Sequence, residues 1–129
     1  MKFKAAILKN INEPLIIDEI ENDILSEGQV LIKILQTGVC RSQIFEMEGQ
    51  RGLDKYLPHL LGHEAIGIVV DLGEKVKKVK EGDYVVLSWI ESKGISAKPA
   101  KYFWKDKIVN SGQVLSLIHI SEPTRQSLI

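Results

Sequence analysis

The stretch GHEAIGIVVDLGEKV, Gly62 to Val76, sets a His-Glu pair directly before a run of mostly apolar, partly β-branched residues. Such a run, closed by turn residues, predicts a strand. Gly67 lies inside the run, where a glycine has no side chain to pack, so we expect a bulge or a close backbone approach there. Gly73 supplies the turn at its end. The stretch therefore predicts a strand that begins next to two chemically capable side chains.

Short strand-like runs separated by turn residues fill much of the remaining chain. Val30, Ile32 and Ile34 share one face of a predicted strand, and the segments KAAILK, PLIIDEI and DYVVLSWI have a similar short, apolar character. The run RSQIFEMEGQ is the best helix candidate, with Ser42 as its cap and Gly49 as its stop. Short strands at local spacing favour a small barrel or sandwich over βαβ units. The fold class is therefore mainly β with short helices.

The charges of the chain are balanced, with 17 basic and 17 acidic residues. Such a balance creates no overall field that attracts nucleic acid or an anionic membrane, so we expect neither as a partner. The most basic segment, EKVKKVK from Glu74 to Lys80, alternates valine with lysine. This pattern is typical of a half-exposed strand or a turn with one solvated face.

A single cysteine, Cys40, excludes a disulfide within the chain and is typical of a reducing compartment. The first residues, MKFKAAILKN, lack the long apolar region and cleavage site of a signal peptide. No apolar run approaches the roughly 20 residues that a membrane-spanning helix needs. These features predict a cytoplasmic protein.

Cys40 and His63 are the candidate metal ligands, because zinc binds thiolate and imidazole well. Their separation matches no short zinc-finger spacing. Catalytic zinc sites, however, draw ligands from distant points of a chain and keep one position open for water or substrate. The alternative is a buried cysteine and a histidine whose hydrogen bonds are satisfied within the core. The two residues alone leave both interpretations open.

A longer pattern of fixed spacings resembles the N-terminal half of the zinc-dependent medium-chain alcohol dehydrogenases, from about Lys2 to Val114. It runs through Gly38-Val39-Cys40-Arg41-Ser42, Gly62-His63-Glu64, Gly67, Gly73, Val76 and Gly82-Asp83. The resemblance implies the catalytic domain of that family, a GroES-like, partly open β-barrel. It also implies oxidation of a small-molecule alcohol to an aldehyde or ketone, with NAD or NADP as cofactor, in an enzyme that is a homo-oligomer when intact.

The resemblance also implies a role for five side chains. Cys40 and His63 match ligands of the catalytic zinc, and Glu64 matches the acidic residue beside the metal, which in some members ligates it transiently. Ser42 matches the hydroxyl that hydrogen-bonds the substrate alcohol and passes on its proton. Arg41 matches the position that contacts the pyrophosphate of the nicotinamide cofactor. The structural alternatives for Ser42 and Arg41 are a helix cap and a solvated charge.

Several positions depart from the family pattern. Gln43 stands where many members have an aspartate that orients the histidine ligand, so an amide replaces the charge there. Phe45 stands where some members continue the proton relay with histidine, and it has no group to carry a proton. The segment Leu87 to Val114 contains no cysteine, so we expect no structural zinc. His59 matches no ligand position, and we interpret it as a loop residue.

The chain contains no G-x-G-x-x-G motif, so we expect the Rossmann domain of the family to be absent. The third zinc ligand of family members also lies beyond the residues present here. Residues 1–114 are thus predicted to be an incomplete catalytic domain that does not turn over by itself.

The remainder, 115–129, is a predicted tail of different origin. Within it LSLIHISEPTR, Leu115 to Arg125, resembles the translation of a transposon-based sequencing adaptor, so no function is expected for His119. Alternatively, LSLIHI serves as a last strand.

Two rival functions remain on the sequence alone. One is a stand-alone GroES-like module that binds a partner through exposed sheet edges without catalysis. The other is a zinc-free quinone-reductase relative of the same superfamily, which Cys40 and the Gly62-His63-Glu64 step argue against. The identity of the alcohol and the choice between NAD and NADP cannot be predicted from these residues.

Overall fold

The computed structural model describes residues 1–89, 95, 97–109 and 116–119, the last four as backbone only. This described part forms nine strands and one short helix, which confirms the prediction of a mainly β chain. The elements are, in order, β1 (Lys2–Leu8), β2 (Ile16–Asn22), β3 (Val30–Thr37), α1 (Arg41–Met47), β4 (His59–Leu60), β5 (Ala65–Leu72), β6 (Tyr84–Ser88), β7 (Tyr102–Trp104), β8 (Lys107–Val109) and β9 (Ser116–His119). No helix in the described residues is long and apolar enough to cross a membrane.

The chain divides into two compact units. The first contains α1 and a five-stranded antiparallel sheet with the strand order β4-β1-β2-β7-β8. Alternate residues of β1 and β2 face inward, and Ile7, Ile20 and Val109 form a fully buried cluster. Burying one such aliphatic side chain stabilises the fold by roughly 1.5–3 kcal/mol. The alternation in KAAILK and PLIIDEI therefore positions the core of this unit.

The hairpin of β7 and β8 is an element that the sequence did not predict. Its strands are three residues each, and the turn residues Lys105 and Asp106 both have positive φ, 50° and 62°. Trp104 Nε1 donates to Asp18 Oδ2 at 2.7 Å, which ties the hairpin to β2. This donor, with the Glu19 N–H and Lys105, holds the pKa of Asp18 below its usual value. The Trp104–Asp18 bond thus anchors a short hairpin within the sheet.

The second unit contains a four-stranded antiparallel sheet with the order β3-β5-β6-β9. Val69, Val79 and Val85 are its buried centre. Val79 and the partly buried Val76 belong to the basic segment, which forms turns and bends and no strand. The turn alternative for that segment is therefore the correct one.

At Gly67, the backbone of β5 passes close to β3. A Cβ atom there would collide with Ile32 Cγ2 and lie 2.7 Å from the carbonyl oxygen of Lys33. The pairing of the two strands also shifts register twice, between Leu31 and Ile32 and between Ile34 and Gln36. The expected close backbone approach at Gly67 is confirmed.

Strand β9 falls within the predicted tail. The backbone of Ser116–His119 pairs antiparallel with β6, with Val85 opposite His119. A last strand is therefore the conformation that these four residues adopt. The remaining tail residues, 115 and 120–129, lie outside the described residues, and the adaptor origin stays a prediction.

Candidate functional site

Helix α1 carries three of the predicted site residues at its beginning. It runs from Arg41 to Met47, and Cys40 is its N-cap, with an extended backbone at φ −94° and ψ 149°. The predicted cap, Ser42, is wrong, because Ser42 lies within the first turn. Gly49 follows the C-cap with φ 67°, as expected for a helix stop. The candidate ligand Cys40 is thus held at a helix boundary.

Cys40 and Gln43 form a reciprocal capping box. The backbone N–H of Cys40 donates to Gln43 Oε1 at 2.7 Å, and the Cys40 side chain faces the backbone N–H of Gln43. The Gln43 N–H also donates to the carbonyl oxygen of Cys40 at 3.0 Å. Both side chains are half-buried. The sequence analysis noted only that Gln43 stands where many family members have an aspartate. It did not predict the hydrogen bond between Gln43 and the backbone of Cys40.

Arg41 and Phe45 are neighbours on one face of α1. The Arg41 guanidinium carbon lies 5.4 Å from the centroid of the Phe45 ring, within the range of a cation–π contact. Arg41 is exposed and Phe45 is half-buried. In this chain, therefore, the residue that replaces a relay histidine packs against the candidate phosphate-binding arginine.

His63 and Glu64 lie directly before β5, where the chain enters the sheet of the second unit. The Glu64 carbonyl oxygen accepts hydrogen bonds from Thr37 Oγ1 at 2.9 Å and from the Gly38 N–H at 3.4 Å. The Glu64 carboxylate occupies the space that a Cβ at Gly38 would need, 2.5 Å from Oε1. The end of β3 thus forms a cradle for Glu64.

We expect Gly38→Ala to displace the Glu64 carboxylate while leaving the fold intact. The atoms in the way are the flexible end of a side chain, so the free energy of unfolding should fall by about 1 kcal/mol or less. The carboxyl-carbon chemical shift of Glu64 should change. In the double variant Gly38→Ala/Glu64→Ala the stability cost of the alanine at 38 should disappear. An unchanged Glu64 signal in the single variant would contradict the cradle.

His59 is a buried residue that the sequence placed wrongly in a loop. It begins β4, pairs with Leu8 of β1 and is 6% exposed. Its Nε2 lies 2.6 Å from Asp54 Oδ2, and its Nδ1 lies 3.2 Å from the Leu60 carbonyl oxygen. An aspartate five residues earlier in DKYLPH was the available sequence signal. This pair fastens the segment before β4 to the edge of the sheet.

The pKa of Asp54 results from opposing effects. Burial raises it, but the Tyr56 N–H, which donates to Oδ1 at 2.9 Å, and His59 lower it further, so the pKa lies below its ordinary value. The carboxylate therefore stays ionised beside His59 at neutral pH. The Asp54–His59 pair therefore stabilises the fold, and neither residue is among the predicted zinc ligands.

The candidate ligands belong to different units, Cys40 to the first and His63 with Glu64 to the second. Within the described part of the chain, no group of three or more His, Cys, Asp or Glu side chains is arranged to hold a metal ion. Thiol, imidazole and carboxylate are nevertheless donors that zinc accepts. The donor chemistry fits zinc, and the roles of these residues stay predictions.

Residues 26–109 match the family model described as the alcohol dehydrogenase GroES-like domain. An alcohol dehydrogenase of Geobacillus stearothermophilus is 39% identical over 89 residues, which are 69% of this chain and 26% of that protein. An S-(hydroxymethyl)glutathione dehydrogenase of Synechocystis is 43% identical over 88 residues, 67% of this chain and 23% of that protein.

Solved structures of alcohol dehydrogenases also resemble this chain. An alcohol dehydrogenase zinc-binding domain protein from Burkholderia ambifaria aligns with a TM-score of 0.65 at 26% identity, over 74% of this chain and 25% of that one. Benzyl alcohol dehydrogenase from Acinetobacter calcoaceticus aligns with a TM-score of 0.64 at 27% identity, over 69% of this chain and 24% of that one. The present chain thus spans about a quarter of the length of the curated relatives that it matches.

Proposed function

Because the chain belongs to the alcohol dehydrogenase GroES-like domain family, as its motifs predict, we propose that it is the metal- and alcohol-binding part of a zinc-dependent alcohol dehydrogenase. The intact enzyme would oxidise a small-molecule alcohol to an aldehyde or ketone by hydride transfer to NAD or NADP. The observation that carries this proposal is the presence of Cys40, at the start of α1, and His63-Glu64, at the start of β5, within the matched residues.

Cys40 and His63 would hold the zinc ion, with Glu64 beside it. When bound, zinc supplies Lewis acidity that lowers the pKa of an alcohol hydroxyl. The name of the Burkholderia relative, a zinc-binding domain protein, supports this assignment. The Gly38 cradle contributes by fixing the Glu64 backbone and giving room to its carboxylate. The chain therefore provides two proposed ligands and one acidic neighbour.

Ser42 would hydrogen-bond the substrate alcohol and take up its proton while releasing its own hydroxyl proton to water, because Phe45 offers no acceptor. Because Cys40 occupies the cap position of α1, the helix-cap alternative for Ser42 loses its basis. The hydroxyl lies one short turn from the proposed ligand, so one helix start can carry both groups. A serine hydroxyl both donates and accepts hydrogen bonds, as a relay requires.

Arg41 would bind the cofactor's pyrophosphate. Arg41 is exposed, its guanidinium lies within cation–π range of Phe45, and the planar fork of arginine matches phosphate oxygens. We place the rest of the cofactor site in the part of the longer relatives that this chain does not match, and expect these 129 residues alone not to turn over.

The class of alcohol stays open in this proposal. The relatives are named as alcohol dehydrogenase, benzyl alcohol dehydrogenase and S-(hydroxymethyl)glutathione dehydrogenase. These names indicate different substrates. A cytoplasmic, homo-oligomeric enzyme is the form we propose for the intact protein, in keeping with the balanced charge and the single cysteine.

Zinc binding by the purified 129-residue chain tests the proposal. We expect stoichiometric binding, measured by competition with a chromophoric chelator, and a loss of affinity of about a hundredfold in Cys40→Ser and in His63→Ala. His119→Ala is the matched control, because it removes a histidine outside the proposed ligands, and it should bind zinc like the parent chain. Equal zinc affinity in all four proteins would instead favour a binding module without catalysis.

A further inference from the structure

The side chain of Gln43 lies beside Cys40, one of the proposed ligands. Its Oε1 accepts the backbone N–H of Cys40 at 2.7 Å. An N–H can donate only to an acceptor, so the amide oxygen must face Cys40 and the amide nitrogen must point away from it. That nitrogen lies 3.9 Å from where a Cβ at Gly62 would be, and Gly62 precedes His63 in the chain.

We propose that Gln43 is a positioning residue for Cys40. By accepting the Cys40 N–H, it fixes the extended backbone of that residue at the helix boundary and thereby restricts the directions that the thiol can take. The metal part of this inference rests on the proposed zinc function, whereas the orientation of the thiol does not. The role differs from that of the family aspartate at the same place, which orients the histidine ligand.

Two observations support the assignment. The bond closes a reciprocal box, since the Cys40 side chain faces the Gln43 backbone N–H, so backbone and side chain of Cys40 are constrained together. Both residues are half-buried, which limits the competition of water for the amide.

The first test uses the metal-free chain and two variants of nearly equal side-chain length. Gln43→Glu keeps an acceptor oxygen, and Gln43→Met removes it. The Hα–Hβ coupling constants of Cys40, measured by NMR, should show one dominant rotamer in the parent chain and in Gln43→Glu. They should become averaged in Gln43→Met. Unchanged couplings in Gln43→Met would overturn the inference, whatever zinc does.

A control separates positioning from simple loss of helix. Glu46→Gly lowers the helix propensity of α1 without touching the box, since Glu46 pairs with Arg51. We expect Cys40 to keep its dominant rotamer in this variant. If Glu46→Gly averages the couplings as Gln43→Met does, helix stability explains the effect and the inference is wrong.

Zinc affinity is the second readout. The loss of a partner that orients a ligand costs about ten- to a hundredfold in metal affinity. We therefore expect Gln43→Met to bind zinc at least tenfold more weakly than Gln43→Glu. Absence of zinc binding in the parent chain, with the couplings as expected, would refute the proposed function and leave the orienting role of Gln43 supported. Equal zinc affinity in the two variants would refute its role in the metal site.

Discussion

Gly67→Ala is expected to lower the free energy of unfolding by about 3 kcal/mol, at the upper end of the usual cost of overpacking. The added methyl group would collide with Ile32 Cγ2 and lie 2.7 Å from the Lys33 carbonyl oxygen. A rotamer change cannot move a backbone carbonyl, so β3 and β5 would have to separate locally. Equilibrium unfolding in urea, followed by circular dichroism, measures the loss.

Gly52→Ala is the matched control for this loss. Gly52 differs from Gly67 in having a positive φ, 88°, which favours glycine, and a Cβ there meets no atom within 4 Å. Its alanine variant should cost only about 1 kcal/mol, because it brings backbone strain without a collision. Equal losses in the two variants would show that the close approach at Gly67 does not limit the packing of the sheet.

Asp54→Ala is expected to destabilise the protein by about 3 kcal/mol. It leaves the ring of His59, which is 6% exposed, without its carboxylate partner, and it removes the acceptor of the Tyr56 N–H. Breaking a buried pair by deleting one member is costly because the other member stays buried. Thermal and chemical unfolding should both report the change.

Asp71→Ala provides the comparison. The Asp71 carboxylate accepts a local backbone N–H, from Leu72 at 2.8 Å, and is exposed. We expect its removal to cost about 0.5–1 kcal/mol, the usual net value of one hydrogen bond. The difference between the two alanine variants then measures what His59 adds. A loss at Asp54 no greater than the loss at Asp71 would contradict a stabilising pair.

The pH dependence of stability gives an independent measure of the same pair. Because the folded-state pKa of Asp54 is lowered, its contribution is present above the unfolded value of about 3.9 and is lost as the pH falls through the folded value. Asp54→Asn should therefore lose less stability than the parent chain on acidification below about pH 4. Parallel pH profiles of the two proteins would exclude this linkage.

The longer strands could be predicted from sequence because their signal is local. Alternation in β1 and β2 and the β-branched run of β5 each specify a buried face within a few residues. The hairpin of β7 and β8 escaped prediction, because its strands are three residues each and its turn uses Lys105 and Asp106 in place of the usual Asn-Gly.

The candidate site was likewise predicted only in part. Fixed spacings of glycine around Cys40 and His63 allowed the family to be recognised, and the family model matches these residues. The cap of α1 was mispredicted because serine is a far more common cap than cysteine. The box of Cys40 and Gln43 keeps the three-residue spacing of the ordinary Ser-x-x-Glu pattern, but its partners become evident only from side-chain geometry.

The way the strands alternate between the two sheets has a consequence for biosynthesis. The first sheet consists of β1, β2, β4, β7 and β8. Strands β3, β5 and β6 of the second sheet lie between β2 and β7 in the sequence. During translation, one edge of β2 therefore stays unpaired until Tyr102 and Phe103, its partners in β7, have been synthesised. Such non-local pairing slows folding, so the nascent chain is exposed to misassociation until β7 has been synthesised.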